Sequence, residues 1–520
     1  MLFNSYVFIF AFLPLALLGY EIAGRFHRRA VVAWLAFASL AFYAYWKPAF
    51  LLVLIASITF NYLFSSLISR QTPGTASSRT LLQLSIVSNL GALCYFKYLF
   101  PSLNFLGKAT GHAHHWTDVA LPLGISFFTF TQIAYLVDLY QGVAKQQDLM
   151  SYVLFVTFFP HLIAGPILHH KEMMPQFQQE RRYRLNLADI VVGFSWFIMG
   201  LAKKSLLADA LARYADPIFR YPYALPMALA WRGVLSYVLQ LYFDFSGYSD
   251  MALGLARMFS INFPLNFNSP FKARNIVDFW QRWHITLSQY ITAYMYSPLE
   301  FWVRKKRREA GKPVNRASFS TAGGFASMVA FPMLFSMLIA GIWHGAGLTF
   351  VLYGVIHGIY LTINHAWRIR FPPGRAAAAQ TTPAIRRLRH AASVLLTFSC
   401  VVVSLIFFRA DSVPRALLLI ANMLGMRGFA AYGPAGSAPE ARLAFLYILL
   451  GLVIVWFLPN TQEILRDYKP SLQGEMFEGQ EHRQRLLWRP TLTWACVLGI
   501  AFFFSLVSLQ NPSSFLYFQF

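Results

Sequence analysis

The sequence predicts an all-α, polytopic membrane protein, and three observations carry that reading. Hydrophobic residues make up 57% of the 520 residues and charged residues only 12%, whereas soluble domains carry roughly 25% charged residues. Mean hydropathy is +0.48. Apolar stretches close to the roughly 20 residues that cross a bilayer recur from one end of the chain to the other.

Taken in order, candidate spans lie at 3–20, 30–46, 50–68, 81–100, 119–140, 189–209, 226–243, 324–343, 348–364, 391–408, 442–458 and 492–509. The first begins at Met1 without a basic leader or a small-residue cleavage site, so it reads as a membrane helix and not as a cleaved signal. Stretches 152–168, 247–262, 275–300 and 414–425 are apolar but short or interrupted, which suits re-entrant, interfacial or tilted elements. Pro160 and Gly165-Pro166 break the first of these. The expected total is about 11 transmembrane helices. No soluble domain, repeat or low-complexity tail interrupts residues 1–520, which read as a single membrane domain.

The net charge of +23 sits in short basic segments between apolar runs, where the positive-inside bias puts cations, so nucleic acid is excluded as a partner. Arg25, Arg28 and Arg29 follow the first span, Arg70 and Arg79 the third, and Lys145 the fifth. These agree on an N-terminus outside the cytoplasm. Segments 169–184, 304–316 and 368–389 are cytoplasmic by the same rule, whereas Lys203-Lys204 fits it poorly and leaves 189–262 open. Cys94, Cys400 and Cys496 lie in apolar runs without a CxxC neighbour. They are expected as buried free thiols, with no zinc site or disulfide framework.

Chemistry is expected first at Gly341-Ile342-Trp343-His344-Gly345-Ala346-Gly347, the turn of a hairpin between spans 324–343 and 348–364. Ionisable groups at membrane depth mark function more often than in water, and a neutral imidazole takes a proton near neutral pH. His344 is therefore a general base or nucleophile in a buried tunnel; the alternative is a turn histidine at the outer interface, bonded to a backbone carbonyl. His284 lies in Asp278-Phe279-Trp280-Gln281-Arg282-Trp283-His284. On one helix it shares a face with Trp280 and Leu287, as a second active-site residue or as an interfacial anchor. Asp244 and Asp250 bind a metal or move protons, or else act as structural partners of the tunnel wall. Asn266, Asn268 and Lys272 belong to a Pro-interrupted, cavity-lining segment. His161 is structural, and His357 in Gly354-Val355-Ile356-His357-Gly358 belongs to close helix packing or to the tunnel wall. His169, His170 and His112 to His115 receive no role. P-loop, GxSxG and HExxH patterns are absent.

At these residues the chain resembles the membrane-bound O-acyltransferase family, and within it the bacterial branch that includes the alginate O-acetylation membrane subunit. The resemblance runs through Met1 to Phe8, Pro122 to Phe127, Phe159 to Pro166, Tyr242 to Met251, Phe279 to Ser288 and Gly341 to Gly345. It implies that His344 is catalytic and His284 the second active-site residue. Trp343, Trp283, Trp280, Asp244, Asp250 and Ser288 are expected as substrate-binding side chains beside them, with no metal ligands. It also implies a ring of membrane helices around a central tunnel open to both faces.

The activity so implied is O-acetyl transfer in a bacterial inner membrane. The donor is a cytoplasmic acyl thioester, with acetyl-CoA as substrate and no bound cofactor. The acceptor is a periplasmic SGNH-like acetyltransferase or similar protein that decorates a polysaccharide, and membrane lipid surrounds the whole. D-alanyl transfer to an envelope polymer is the alternative within the family; a non-enzymatic transporter of lipid or polysaccharide is the alternative outside it. The basic stretch 304–316 and the continuation Gln289 to Pro298 depart from the alginate-type pattern.

Overall fold

The computed structural model describes residues 1–111, 119–179, 183–223, 225–371, 382–426, 428, 438–469, 471–473, 486–510 and 515–516. His112, His114 and His115, Arg181 and Arg182, and part of the basic segment 368–389 lie outside them. Among the described residues the regular elements are all helical, with one isolated antiparallel bridge between Phe267 and Trp283. Among the described residues five helices are long and apolar enough to cross a membrane: Pro48–Ser69, Leu187–Arg220, Ala322–His344, Pro383–Arg409 and Pro439–Phe457. Shorter apolar helices are Phe8–Gly24, Ile125–Tyr140, Val413–Met423 and Leu492–Ser508.

The chain divides into two compact units, one of residues 1–206, 244–265 and 461–520, the other of 207–243 and 266–460. In the first, the helix beginning at Leu187 crosses residues 244–258 at two pairs of glycines. A Cβ on Gly193 would come within 2.5 Å of the Gly254 carbonyl oxygen, and one on Gly200 within 2.6 Å of that of Gly247. With the glycines seven positions apart on each helix, the two backbones touch twice, the small-residue contact expected between membrane helices.

That crossing settles two points the sequence left open or misplaced. Stretch 247–262 is not a separate interrupted element: Met227–Met258 is one helix of 32 residues. Its carboxylates do not break it because each meets a lysine turned inward by a π-helical segment at Lys203–Ala208. Lys204 Nζ lies 2.6 Å from Asp244 Oδ1 with both side chains buried, and Lys203 Nζ lies 2.5 Å from Asp250 Oδ2. Asp244 also accepts from the backbone N–H of Leu516, and Asp250 from the Trp196 indole and the Thr461 hydroxyl. Lys203-Lys204 broke the charge rule because these lysines are ion-pair partners inside a helix, not loop cations.

The short segment around Pro160 is broken as the sequence suggests. Helices Leu149–Thr157 and Phe159–Leu162 are separated at Phe158, which has ψ 111°. The groups freed by the break find protein partners: the Phe159 N–H donates to Ser39 Oγ at 3.0 Å, and His161 Nε2 meets the Phe155 carbonyl at 3.0 Å. Such backbone survives at membrane depth when protein covers it.

The cysteines correct an expectation. Cys94 and Cys496 are exposed and Cys400 is half-buried. Their neighbours Leu90, Leu396, Val497 and Ile500 are exposed too, so these faces suit lipid, and an apolar run in such a chain does not imply burial inside protein.

Removing one partner of a buried ion pair strands the other charge at a cost of about 3–5 kcal/mol, whereas replacing both with apolar residues is often neutral. Asp244→Leu is therefore expected to lower the thermal stability of detergent-purified protein strongly, and Lys204→Met in the same chain to restore most of it. Melting curves of the three proteins check this.

Candidate active site

Within the second unit, the hairpin Phe331–His344 and Leu348–Arg370 presents His344 as the last residue of its first helix. Glycines let the two helices touch. A Cβ on Gly341 would lie 2.9 Å from the Gly354 Cα, and one on Gly354 3.0 Å from the Gly341 Cα, with the Phe350 and Met337 carbonyls nearer still. A Cβ on Gly358 would lie 3.0–3.4 Å from Leu334 and Met337, so Gly354 and Gly358 serve close packing. At the turn, Gly345 has extended backbone that any residue adopts (φ −173°); space is what it provides, since a Cβ would run into the Phe350 ring.

His344 is buried beside Trp343 (ring centroids 4.9 Å apart), Phe408 (5.0 Å) and Tyr353 (5.8 Å). Tyr353 continues to His357 at 4.6 Å. His357 is fully buried, and its Nδ1 accepts the Trp280 indole N–H at 3.2 Å. In the neutral ring the proton is then on Nε2.

His284 does not lie mid-helix with Trp280 and Leu287. The chain forms a helix at Ile276–Trp280, turns, and restarts at Ile285–Ile291, with His284 between them in the left-handed region (φ 45°, ψ 53°). Pairing with residues 266–268 explains the break. Asn268 N–H donates to the Arg282 carbonyl and Ile285 N–H to the Asn266 carbonyl, both at 2.9 Å, around the Phe267–Trp283 bridge. Arg282 is held by Asp278 at 2.6 Å. Asn275 caps the first short helix by accepting from the N–H groups of Val277 and Asp278. A non-glycine residue in this conformation is costly, and such strain gathers at functional sites.

The same pairing aims the ring. His284 Nδ1 lies 3.0 Å from Asn266 Oδ1, which also accepts the Thr286 hydroxyl at 3.0 Å. With Oδ1 as acceptor the imidazole proton is on Nδ1, leaving Nε2 with its lone pair. Asn268 and Ser269 accept from Asn460, Lys272 donates to the Leu458 carbonyl, and the Trp456 indole donates to the Phe271 carbonyl. The irregular segment is thus pinned to the end of the Ala438–Phe457 helix.

Trp343 joins the two motifs, being the chain neighbour of His344 and 6.4 Å from the His284 ring. Trp283 stacks between Phe279 (5.7 Å) and Phe267 (5.1 Å, edge-on). The structure therefore brings together His344, His284, Trp343, Trp283 and, through His357, Trp280. Ser288 braces the turn, its hydroxyl donating to the His284 carbonyl at 3.3 Å. Asp244 and Asp250 belong to the first unit and its lysines.

Sequence reasoning missed Tyr353, Phe408 and Thr286. The four-residue spacing of Tyr353 and His357 on one helix was a signal for the first; nothing in the sequence marks Phe408. The arrangement provides the buried imidazoles of His344 and His284, with that of His357 beside them, in an aromatic surround. It suits proton removal from a hydroxyl and stabilisation of developing charge.

The chain belongs to the membrane-bound O-acyltransferase family and is a multi-pass membrane acyltransferase. The family model for MBOAT, the membrane-bound O-acyltransferase family, matches residues 75–311, a stretch that contains His284. Relatives extend the similarity to His344. A Helicobacter pylori peptidoglycan O-acetyltransferase is 35% identical over 566 residues, covering 100% of this chain and 98% of its own length. A Pseudomonas aeruginosa protein described as probable alginate O-acetylase AlgI is 36% identical over 80% of this chain and 73% of its own length. A Bacillus subtilis teichoic acid D-alanyltransferase is 31% identical over 46% of this chain and 58% of its own length.

Losing a hydrogen bond to a buried polar group costs about 1–3 kcal/mol, or roughly 10- to 100-fold in rate if it orients a reacting group. Asn266→Ala is expected to lower kcat for acyl transfer by that factor while KM for the donor changes little. Steady-state kinetics on purified protein of unchanged elution volume check this.

Proposed function

We propose that this enzyme transfers an acetyl group from a cytoplasmic thioester, acetyl-CoA, to an extracytoplasmic acceptor, for O-acetylation of a cell-envelope polysaccharide in a bacterial inner membrane. The observation that carries the reading is the placement of His344 and His284 both beside Trp343 in one buried cluster. The full-length similarity to a peptidoglycan O-acetyltransferase and the similarity to alginate O-acetylases support the acetyl group and the polysaccharide. The D-alanyltransferase relatives cover about half of the chain, so D-alanyl transfer is the weaker alternative.

A thioester is already activated, so the step needs positioning and proton removal. An acceptor hydroxyl attacks the thioester carbonyl while His344 takes the hydroxyl proton. The tetrahedral intermediate collapses as the carbon–sulfur bond breaks, and the imidazolium returns its proton to the leaving thiolate. His284, also beside Trp343, orients the second reactant. Donor and acceptor enter from opposite faces through the tunnel the family likeness implies, and only the acyl group passes. The acceptor hydroxyl belongs to a periplasmic SGNH-like acetyltransferase or to a similar carrier protein. Trp343, Trp283 and Trp280 line the substrate path, with Ser288 as a supporting polar group, whereas Asp244 and Asp250 hold the first unit together through Lys204 and Lys203. The basic run Arg304 to Arg308, in which Lys305, Lys306 and Arg308 are exposed, attracts the phosphates of coenzyme A.

General-base help is worth about 10²–10⁴-fold. His344→Ala is expected to insert into membranes normally and to cut transfer of labelled acetyl from acetyl-CoA at least ~100-fold. Near-normal polymer acetylation in cells carrying that variant refutes the assignment.

A further inference from the structure

In the first unit, Asp138, His169 and His170 bring three ligand-type atoms within 4.8 Å of one another. Asp138 is a buried carboxylate near the end of the apolar helix Ile125–Tyr140, and both histidines converge on its Oδ2. His169 Nε2 lies 2.9 Å from that oxygen and His170 Nδ1 3.4 Å. His170 is 94% buried, with Tyr135 edge-on at 5.5 Å, and neither of its ring nitrogens makes a hydrogen bond. A buried imidazole normally has a partner for each nitrogen. This one holds its Nδ1 toward a carboxylate at longer than hydrogen-bond quality.

We propose that Asp138, His169 and His170 form a binding site for a divalent transition metal ion of the zinc class, separate from the histidine pair of the acyl-transfer site. Two imidazoles and one carboxylate are a common three-ligand set for zinc, with the fourth position left to water. Across a tetrahedral ion with bonds of ~2.0–2.1 Å, neighbouring donor atoms lie ~3.3 Å apart. The His170–Asp138 separation of 3.4 Å already matches, and the His169–Asp138 contact of 2.9 Å has to open by a few tenths of an ångström. His169 is partly exposed, which gives an ion access from water. The C-terminal end of the Ile125–Tyr140 helix adds negative potential where the cation sits.

On the protein side, one proton moves. His169 Nδ1 accepts from the Lys171 backbone N–H at a long 3.3 Å, so the neutral ring carries its proton on Nε2 against Asp138. Binding places the ion on Nε2, shifts that proton to Nδ1 and releases the long contact. The site would fasten the helix end at Asp138 to the stretch that follows the broken element around Pro160.

Cobalt(II) is the probe, because it occupies zinc sites and its visible absorption reports tetrahedral nitrogen and oxygen ligands. Full-length protein with a tag free of histidine is purified in detergent and stripped with a chelator. Cobalt(II) is then titrated into the wild type, His169→Gln, His170→Gln and Asp138→Asn. The expected result is one tightly bound ion per chain with a tetrahedral spectrum, displaced by zinc, and at least 10-fold weaker binding in each variant. Zinc should also raise the melting temperature of the wild type but not of His169→Gln, a partly exposed position that leaves folding intact. Equal cobalt uptake by the wild type and His169→Gln, or a zinc effect on melting that is the same in both, overturns the proposal.

Discussion

Backbone touching backbone at Gly341 and Gly354 is the constraint from which the active-site geometry follows. Two helices joined by a three-residue turn can pack this closely only where neither carries a side chain at the crossing. Closeness there sets how far Tyr353, one residue before Gly354, and His357, three residues after it, sit from His344 across the hairpin. The aromatic cluster of His344, Tyr353, His357 and Trp280 is a consequence of that packing. Lipid supplies no hydrophobic drive for helices to associate, so small-residue contact is what holds such a pair together.

The second motif reaches the same cluster by the opposite device. His284 is placed by an irregular stretch, residues 266–270, paired with the turn at 282–285 and tied by Asn460 and Trp456. Its left-handed conformation is held by hydrogen bonds on both sides. One imidazole is thus positioned by van der Waals packing and the other by polar bonding, and Trp343 lies against both. The first unit treats polarity differently at two carboxylates: its buried Asp244 and Asp250 meet lysines 2.5–2.6 Å away and are neutralised. Charges that are paired hold structure, whereas neutral imidazoles in a water-poor aromatic surround keep the capacity to take a proton.

Much of this was legible in the sequence. Composition and apolar runs gave the all-helical membrane class, and the glycines around His344 gave a tight turn at the end of a helix. His284 was found by its tryptophans, but its backbone was misread, because period-3.6 reasoning assigns a helix wherever apolar residues fall on one face. The break depends on Asn266 to Asn268, which are distant in sequence. Lys203-Lys204 and stretch 247–262 were obscure for the same reason: ion pairs between residues about 40–47 positions apart leave no periodic trace. Phe408 reaches His344 from a helix more than 60 residues away, and no local pattern records that. The cysteines were misplaced because hydropathy cannot separate a lipid-facing position from a protein-facing one.

The central claim is that His344 sits where reactants from two sides of a bilayer can meet. Accessibility of that position tests it most directly. With Cys94, Cys400 and Cys496 replaced by serine, His344→Cys puts a single thiol there, and a membrane-impermeant thiol reagent is applied to sealed vesicles of each orientation. Modification from both faces is the result this account predicts. A thiol that reacts from one face alone, or from neither, contradicts it.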